Sequence, residues 1–113
     1  MTNTLLTDAR IALPELQEHR IRTTHNLKIR PEHFHAVITG EKKAEFRRAD
    51  RDFAVGDFLC LNEYGPCEHG SQVVGFTGAV AYALVTHVTD LNEWAPGYVM
   101  LSIQRRRAAV SCR

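Results

Sequence analysis

The densest run of chemically capable side chains lies between Gly40 and Arg51. Five of the fourteen basic residues fall there, Lys42, Lys43, Arg47, Arg48 and Arg51, interrupted by Glu45 and Asp50. Across Lys43–Arg48, apolar Ala44 and Phe46 alternate with Lys43, Glu45 and Arg47, the pattern of a strand with one apolar and one charged face. Glu45 and Arg47, two apart, then point the same way, and Lys42 reaches the same surface if the chain bends tightly after Gly40. A cation, a carboxylate and a guanidinium on one face can grip a polar ring together. Lys and Arg meet phosphate or carbonyl oxygens, and Glu accepts from an exocyclic amine. The same spacing also suits a solvated strand face whose cross-strand ion pairs contribute at most ~1 kcal/mol each.

Other polar groups carry weaker chemistry. Cys60, Cys67, His69 and His87 can be read as a zinc set, but Cys-x-His is not a typical structural spacing and Cys60 falls in a core strand, so no metal site is expected. His33 and His35 straddle one position of a short helix and cannot share its face. Thr77 and Tyr82 follow a long loop and either line a cleft or serve the core and a turn. Trp94, the one tryptophan, stacks on a base or packs against the sheet. The run Arg105-Arg106-Arg107 reads as a solvated tail, or as extra electrostatic reach along a nucleic-acid backbone. No motif calls for a cofactor.

The elements that must position these groups fit one domain. A chain of 113 residues, 44% hydrophobic and 24% charged, can bury roughly two thirds of its unfolded surface in a single core. A net charge of +1 supplies no global pull toward nucleic acid or an anionic membrane, so polyanion binding has to come from a local patch. Three cysteines without paired spacing argue against a disulfide scaffold. Met1–Arg10 lacks the cationic start and apolar run of a signal peptide, and a cytoplasmic location is the expectation. Gly70–Thr89 has no charged residue, yet its glycines, Thr and Ser make it too polar for a lipid-facing helix, so no membrane contact is expected.

Along the chain, Leu27 and Ile29 alternate with Asn26 and Lys28 in a strand that stops at Pro31. Pro31 suits a first helical position, Glu32 the positive helix start, and Phe34, Val37 and Ile38 one buried stripe, predicting a helix over Pro31–Thr39 closed by Gly40. Strands follow at Lys43–Arg48 and Phe58–Leu61, and Asn62–Gly75 reads as loop with Gly65-Pro66 its breaker. In a long strand after it, Val80, Tyr82, Leu84, Thr86 and Val88 share one face and Ala79, Ala81, Ala83, Val85 and His87 the other. Tyr98–Ile103 is the last strand. Five short strands and one helix favour a small barrel or strongly curved sheet and exclude a doubly wound parallel sheet.

Gly40-x-Lys42-x-x-Glu45-x-Arg47 matches the GxKxxExR signature of ASCH domains, a branch of the PUA-like superfamily. His25–Ile29 followed by Pro31-Glu32-x-Phe34, then Asp50–Asp57, Phe76-Thr77-Gly78, His87-Val88 and Gly97–Ile103 resemble successive blocks of a small bacterial and phage group, the DUF3850 family. The resemblance covers roughly Thr24–Gln104. It implies an α+β fold, a small PUA-like (ASCH-type) β-barrel of five or six strands with one or two short covering helices. Residues 25–104 then form the barrel, 1–24 an N-terminal extension with weak helical periodicity, and 105–113 a basic C-terminal tail.

The resemblance also implies a cleft that binds RNA or a nucleotide-type ligand, with Lys42, Glu45 and Arg47 as its polar set and Gly40 shaping the turn; Thr77 is a ligand-binding candidate by its position after the long loop. A small ASCH enzyme in the wider superfamily removes the acetyl group of N4-acetylcytidine, using a lysine that matches Lys42, a threonine at the position of Glu45 and a more distant glutamate. The alternative function is therefore an amidohydrolase acting on an acylated nucleoside, with Lys42 and Glu45 catalytic. Glu45 departs from that pattern, having no hydroxyl to attack an amide, and Glu93 is only a loose match for the distant carboxylate. Lys42 beside Glu45 can still activate a water if the lysine is desolvated.

Overall fold

In the computed structural model, residues 22–67 and 72–107 are described. The first strand, β1 (Thr24–Ile29), buries His25, Leu27 and Ile29 and exposes Asn26 and Lys28, so period-two patterning alone sets its faces. Arg30 is extended, as a residue before proline must be, and Pro31 opens helix α1 (Pro31–Ile38), with Glu32 in its first turn and Phe34 and Val37 turned inward. Then come β2 (Ala44–Arg48), β3 (Phe58–Pro66), β4 (Val74–Asp90) and β5 (Tyr98–Arg106). These five strands form one sheet in the order β1-β3-β4-β5-β2, curled into a half-barrel with the helix as cover. The pairings are antiparallel except β1 with β3, where Thr24 lies against Phe58 and Ile29 against Glu63.

The inner face holds one core. Leu59, Leu61, Val85 and Leu101 are completely covered, and Phe34 and Val37 join them from α1. Each such side chain contributes roughly 1.5–3 kcal/mol relative to exposure. The helix is seated by a close approach: a Cβ at Gly65 would lie 2.7 Å from Pro31 Cγ, so only glycine lets the first turn rest on β3.

The parallel β1–β3 register is set by Asp57, whose side chain is fully buried just before β3. Its carboxylate accepts from the backbone N–H of Thr23 (3.2 Å) and Ala54 (3.0 Å) and from His25 Nε2 (2.9 Å). The His25 ring packs on Phe53 at 4.7 Å. Val55-Gly56-Asp57 thus ties the entry of β1 to the entry of β3.

Two expectations are corrected. Asn62–Gly75 is not a loop throughout: β3 continues to Pro66 and β4 begins at Val74, pairing Tyr64 with Phe76 and Gly65 with Gly75. Gly65 and Pro66 fail to break the strand because the glycine faces its glycine partner and the proline falls on the last residue. The alternation in β4 also does not run straight through. A register shift between Val85 and His87 turns Val88 toward the core and leaves His87 exposed, reversing the faces expected for both. The helix closes at Ile38 with Thr39 as its cap, β2 starts at Ala44, and β5 extends to Arg106, into the segment read as a tail. The expected N-terminal helical segment lies outside the described residues, apart from the approach to β1.

Candidate ligand-binding site

The site begins at the end of α1. Gly40 has φ +83°, the left-handed conformation that favours glycine, and nothing lies within 4 Å of where its Cβ would be. Its N–H donates to Val37 O (3.1 Å), and the Lys42 N–H returns to Ala36 O (2.9 Å). This tight reversal brings Lys42 back over the sheet before β2 begins. Along β2, Glu45 pairs with Leu101 and Arg47 with Val99, so both side chains face inward.

There the three side chains meet. Lys42 Nζ donates to Glu45 Oε1 at 2.9 Å and also to Ala44 O. Arg47 grips Glu45 Oε2 through Nε (2.8 Å) and Nη2 (2.7 Å), and Nη2 also donates to Lys28 O at 2.6 Å. The Glu45 side chain is only 6% exposed, while each cation is 22% exposed. A buried carboxylate therefore holds two partly exposed cations at fixed spacing, and the group carries excess positive charge. The Arg47–Lys28 contact has a second effect. It joins β2 to β1, the two outermost described strands of the sheet.

Beside Lys42 lies a pocket of about 280 Å³, walled by Gly40, Lys42, Lys43, Gln104 and Arg105 over a floor of Val37 and Ile103. Glu45 and Arg47 do not line it, so Lys42 is the member shared by the ion-pair cluster and the pocket. Arg105 Nη1 donates to Ile38 O at 3.2 Å. Thr77 belongs to a different cluster: its hydroxyl donates to Glu63 Oε1 (2.7 Å) and accepts from the Ala79 N–H (3.2 Å). Glu63 Oε2 lies 4.0 Å from His35 Nε2, and Lys28 Nζ sits 4.5 Å over the Tyr64 ring.

Sequence reasoning misses Glu63 because the loop reading of Asn62–Gly75 covers it, whereas it lies within β3. Had the Leu59, Leu61, Glu63 alternation been carried two residues further, it would have placed that carboxylate on the inner face.

The remaining candidates are dispersed. Glu93 and Trp94 are exposed in the turn between β4 and β5, and His33 is exposed on α1. Tyr82 is half-buried within β4. Cys60 is buried and Cys67 exposed, and His69 lies outside the described residues. Among the described residues, no three His, Cys, Asp or Glu side chains gather as metal ligands, and no helix is long and apolar enough to cross a membrane. On the outer face, Phe46 stacks on Tyr98 at 4.9 Å and 17°, and the Arg48 guanidinium lies 5.1 Å from the Tyr98 ring.

Comparison with known proteins places this arrangement in a family. The chain is 41% identical over 78 residues to a protein of Escherichia phage P2, the uncharacterized 12.9 kDa protein in the GpA 3′ region. The match covers 68% of this chain and 64% of that relative, so the chain spans just under two thirds of the relative's length. Residues 24–103, from the start of β1 to Ile103, match the family described as Domain of unknown function (DUF3850), and the chain belongs to that family.

Proposed function

We propose that this protein is an RNA- or nucleotide-binding module of the ASCH branch of the PUA-like superfamily, working through the surface built on Gly40, Lys42, Glu45 and Arg47. The observation that carries the reading is the buried Glu45 carboxylate, which holds Lys42 and Arg47 side by side with part of each cation open to solvent. Lys42 uses two of its N–H donors on Ala44 O and Glu45 and keeps a third for a ligand. Arg47 keeps its Nη1 donors. Arg47 then contacts phosphate or a carbonyl, Lys42 supplies the second positive charge, and Glu45 fixes the distance between them. Thr77, with Glu63, offers a separate polar contact on β4.

The amidohydrolase alternative draws less support. Both Glu45 oxygens are engaged by cations and the position carries no hydroxyl, so Glu45 itself offers no nucleophile beside Lys42.

Titration of single-stranded and structured RNA onto the wild type, Lys42→Ala and Arg47→Ala tests the proposal. Each substitution is expected to weaken binding at least about tenfold, the value of one charge-assisted hydrogen bond. Equal affinity for all three proteins removes the proposal.

A further inference from the structure

We infer that the pocket under the C-terminal end of α1 is a seat for a phosphate monoester attached to one ring-sized group, that is, a single nucleotide unit ending in a phosphate. The inference rests on the reading of this surface as nucleotide-binding and names what one part of it holds.

Charge is the first argument. Lys42, Lys43 and Arg105 line the pocket, and no carboxylate does. Of the three, Lys42 already faces Glu45, whereas neither Lys43 nor Arg105 has an acidic partner among the described residues. Like charges gathered in a small hollow repel one another unless an anion joins them.

The helix end would ordinarily oppose an anion, because the last carbonyls carry the negative pole of the helix dipole. Here those carbonyls are covered. His35 O accepts from the Thr39 N–H, Ala36 O from the Lys42 N–H, Val37 O from the Gly40 N–H, and Ile38 O from Arg105 Nη1. What the helix end presents to the pocket is therefore cationic. The Ile38 contact also anchors the guanidinium at the rim while leaving it further N–H donors.

Valence and size narrow the ligand. A phosphate monoester brings about −1.5 to −2 charges and three acceptor oxygens at neutral pH, enough to engage more than one cation. A carboxylate or an internal phosphodiester brings a single charge. Val37 and Ile103, both core residues, give the pocket an apolar floor on which a flat ring can lie, with the Gln104 amide available to its polar edge. A volume of about 280 Å³ falls just below the roughly 300–1,000 Å³ of ligand pockets, and suits one nucleotide rather than a chain of them.

The terminal phosphate can belong to a free nucleotide or to the end of an RNA, and the experiment separates these. The full chain is titrated by calorimetry with ribonucleoside 5′- and 3′-monophosphates, the matching nucleosides, and a short RNA carrying a phosphate or a hydroxyl at either end. Monophosphates are expected to bind at least about tenfold more tightly than nucleosides, and Lys43→Ala and Arg105→Gln each to remove most of that difference. Both residues are exposed, and circular dichroism confirms that the variants fold. An RNA that binds better with a terminal phosphate identifies a chain end as the source, whereas binding of monophosphates alone identifies a free nucleotide. If RNA binding depends on Lys42 and Arg47 but not on the end phosphate, Lys43 or Arg105, the pocket inference is overturned and the broader reading survives. If no nucleotide or RNA binds, both fall.

Discussion

Glu45 shows why a single acidic residue can decide the chemistry of a basic surface. Buried alone it would be costly, but with Lys42 on one oxygen and Arg47 on the other its burial becomes affordable, and its neighbours are held in place. Replacing it by Gln keeps the size and removes the charge, leaving two partly buried cations without their counter-ion. Glu45→Gln is expected to lower stability by about 1–3 kcal/mol, read as a shift of the urea midpoint at unchanged m-value. An unchanged midpoint would mean that the ion pairs contribute nothing. That Glu45 and Arg47 share one surface could be read from their spacing, because two-residue alternation is a property of any strand, whereas Lys42 joins them only through the bend after Gly40. The partners of the flanking groups could not. Arg47 reaches Lys28 O and Arg105 reaches Ile38 O through contacts between distant parts of the chain, and such contacts leave no local periodicity.

The turn from α1 into β2 sets where Lys42 lies, and Gly40 sets the turn. Because open space surrounds its missing Cβ, Gly40→Ala introduces no clash and isolates the backbone contribution. A loss of about 1 kcal/mol is expected from thermal unfolding, together with weaker RNA binding as Lys42 shifts. No change in stability would show that the left-handed conformation is not required. Among the elements, α1 was the easiest to foresee, since proline at its start, an i, i+3 apolar stripe and a closing glycine all agree. The β3–β4 hairpin was hidden by Gly65 and Pro66. Their usual role as breakers gave way to cross-strand pairing and to the seating of Pro31 on Gly65. The irregularity at Val85/His87 was hidden for a related reason: an inserted residue changes which face a side chain takes without changing the residue types around it.

The molecule as a whole depends on contacts that the sequence order hides. A curved sheet with helical cover could be inferred from five strand-like segments and one helix, but not the parallel pairing of β1 with β3, whose partners are separated by α1 and β2. Asp57 carries that pairing. Asp57→Ala would leave the His25 imidazole and the Thr23 and Ala54 N–H groups without their buried acceptor. It is expected to cost about 3–5 kcal/mol, seen as a large fall in the denaturation midpoint. A loss under about 1 kcal/mol would show that another group holds the register.

The strand order bears on how the chain assembles. β3, β4 and β5 follow one another in sequence as well as in the sheet, so they can zip together through short connections. β1 and β2 each wait for a partner far along the chain. The Glu45–Leu101 pairing and the Arg47–Lys28 contact each close a long stretch of chain, and the second joins two edge strands that both need a central strand as partner. The proposed binding surface is thus expected to form with the edge strands, and partial melting that frees them is expected to dismantle it while the meander still stands.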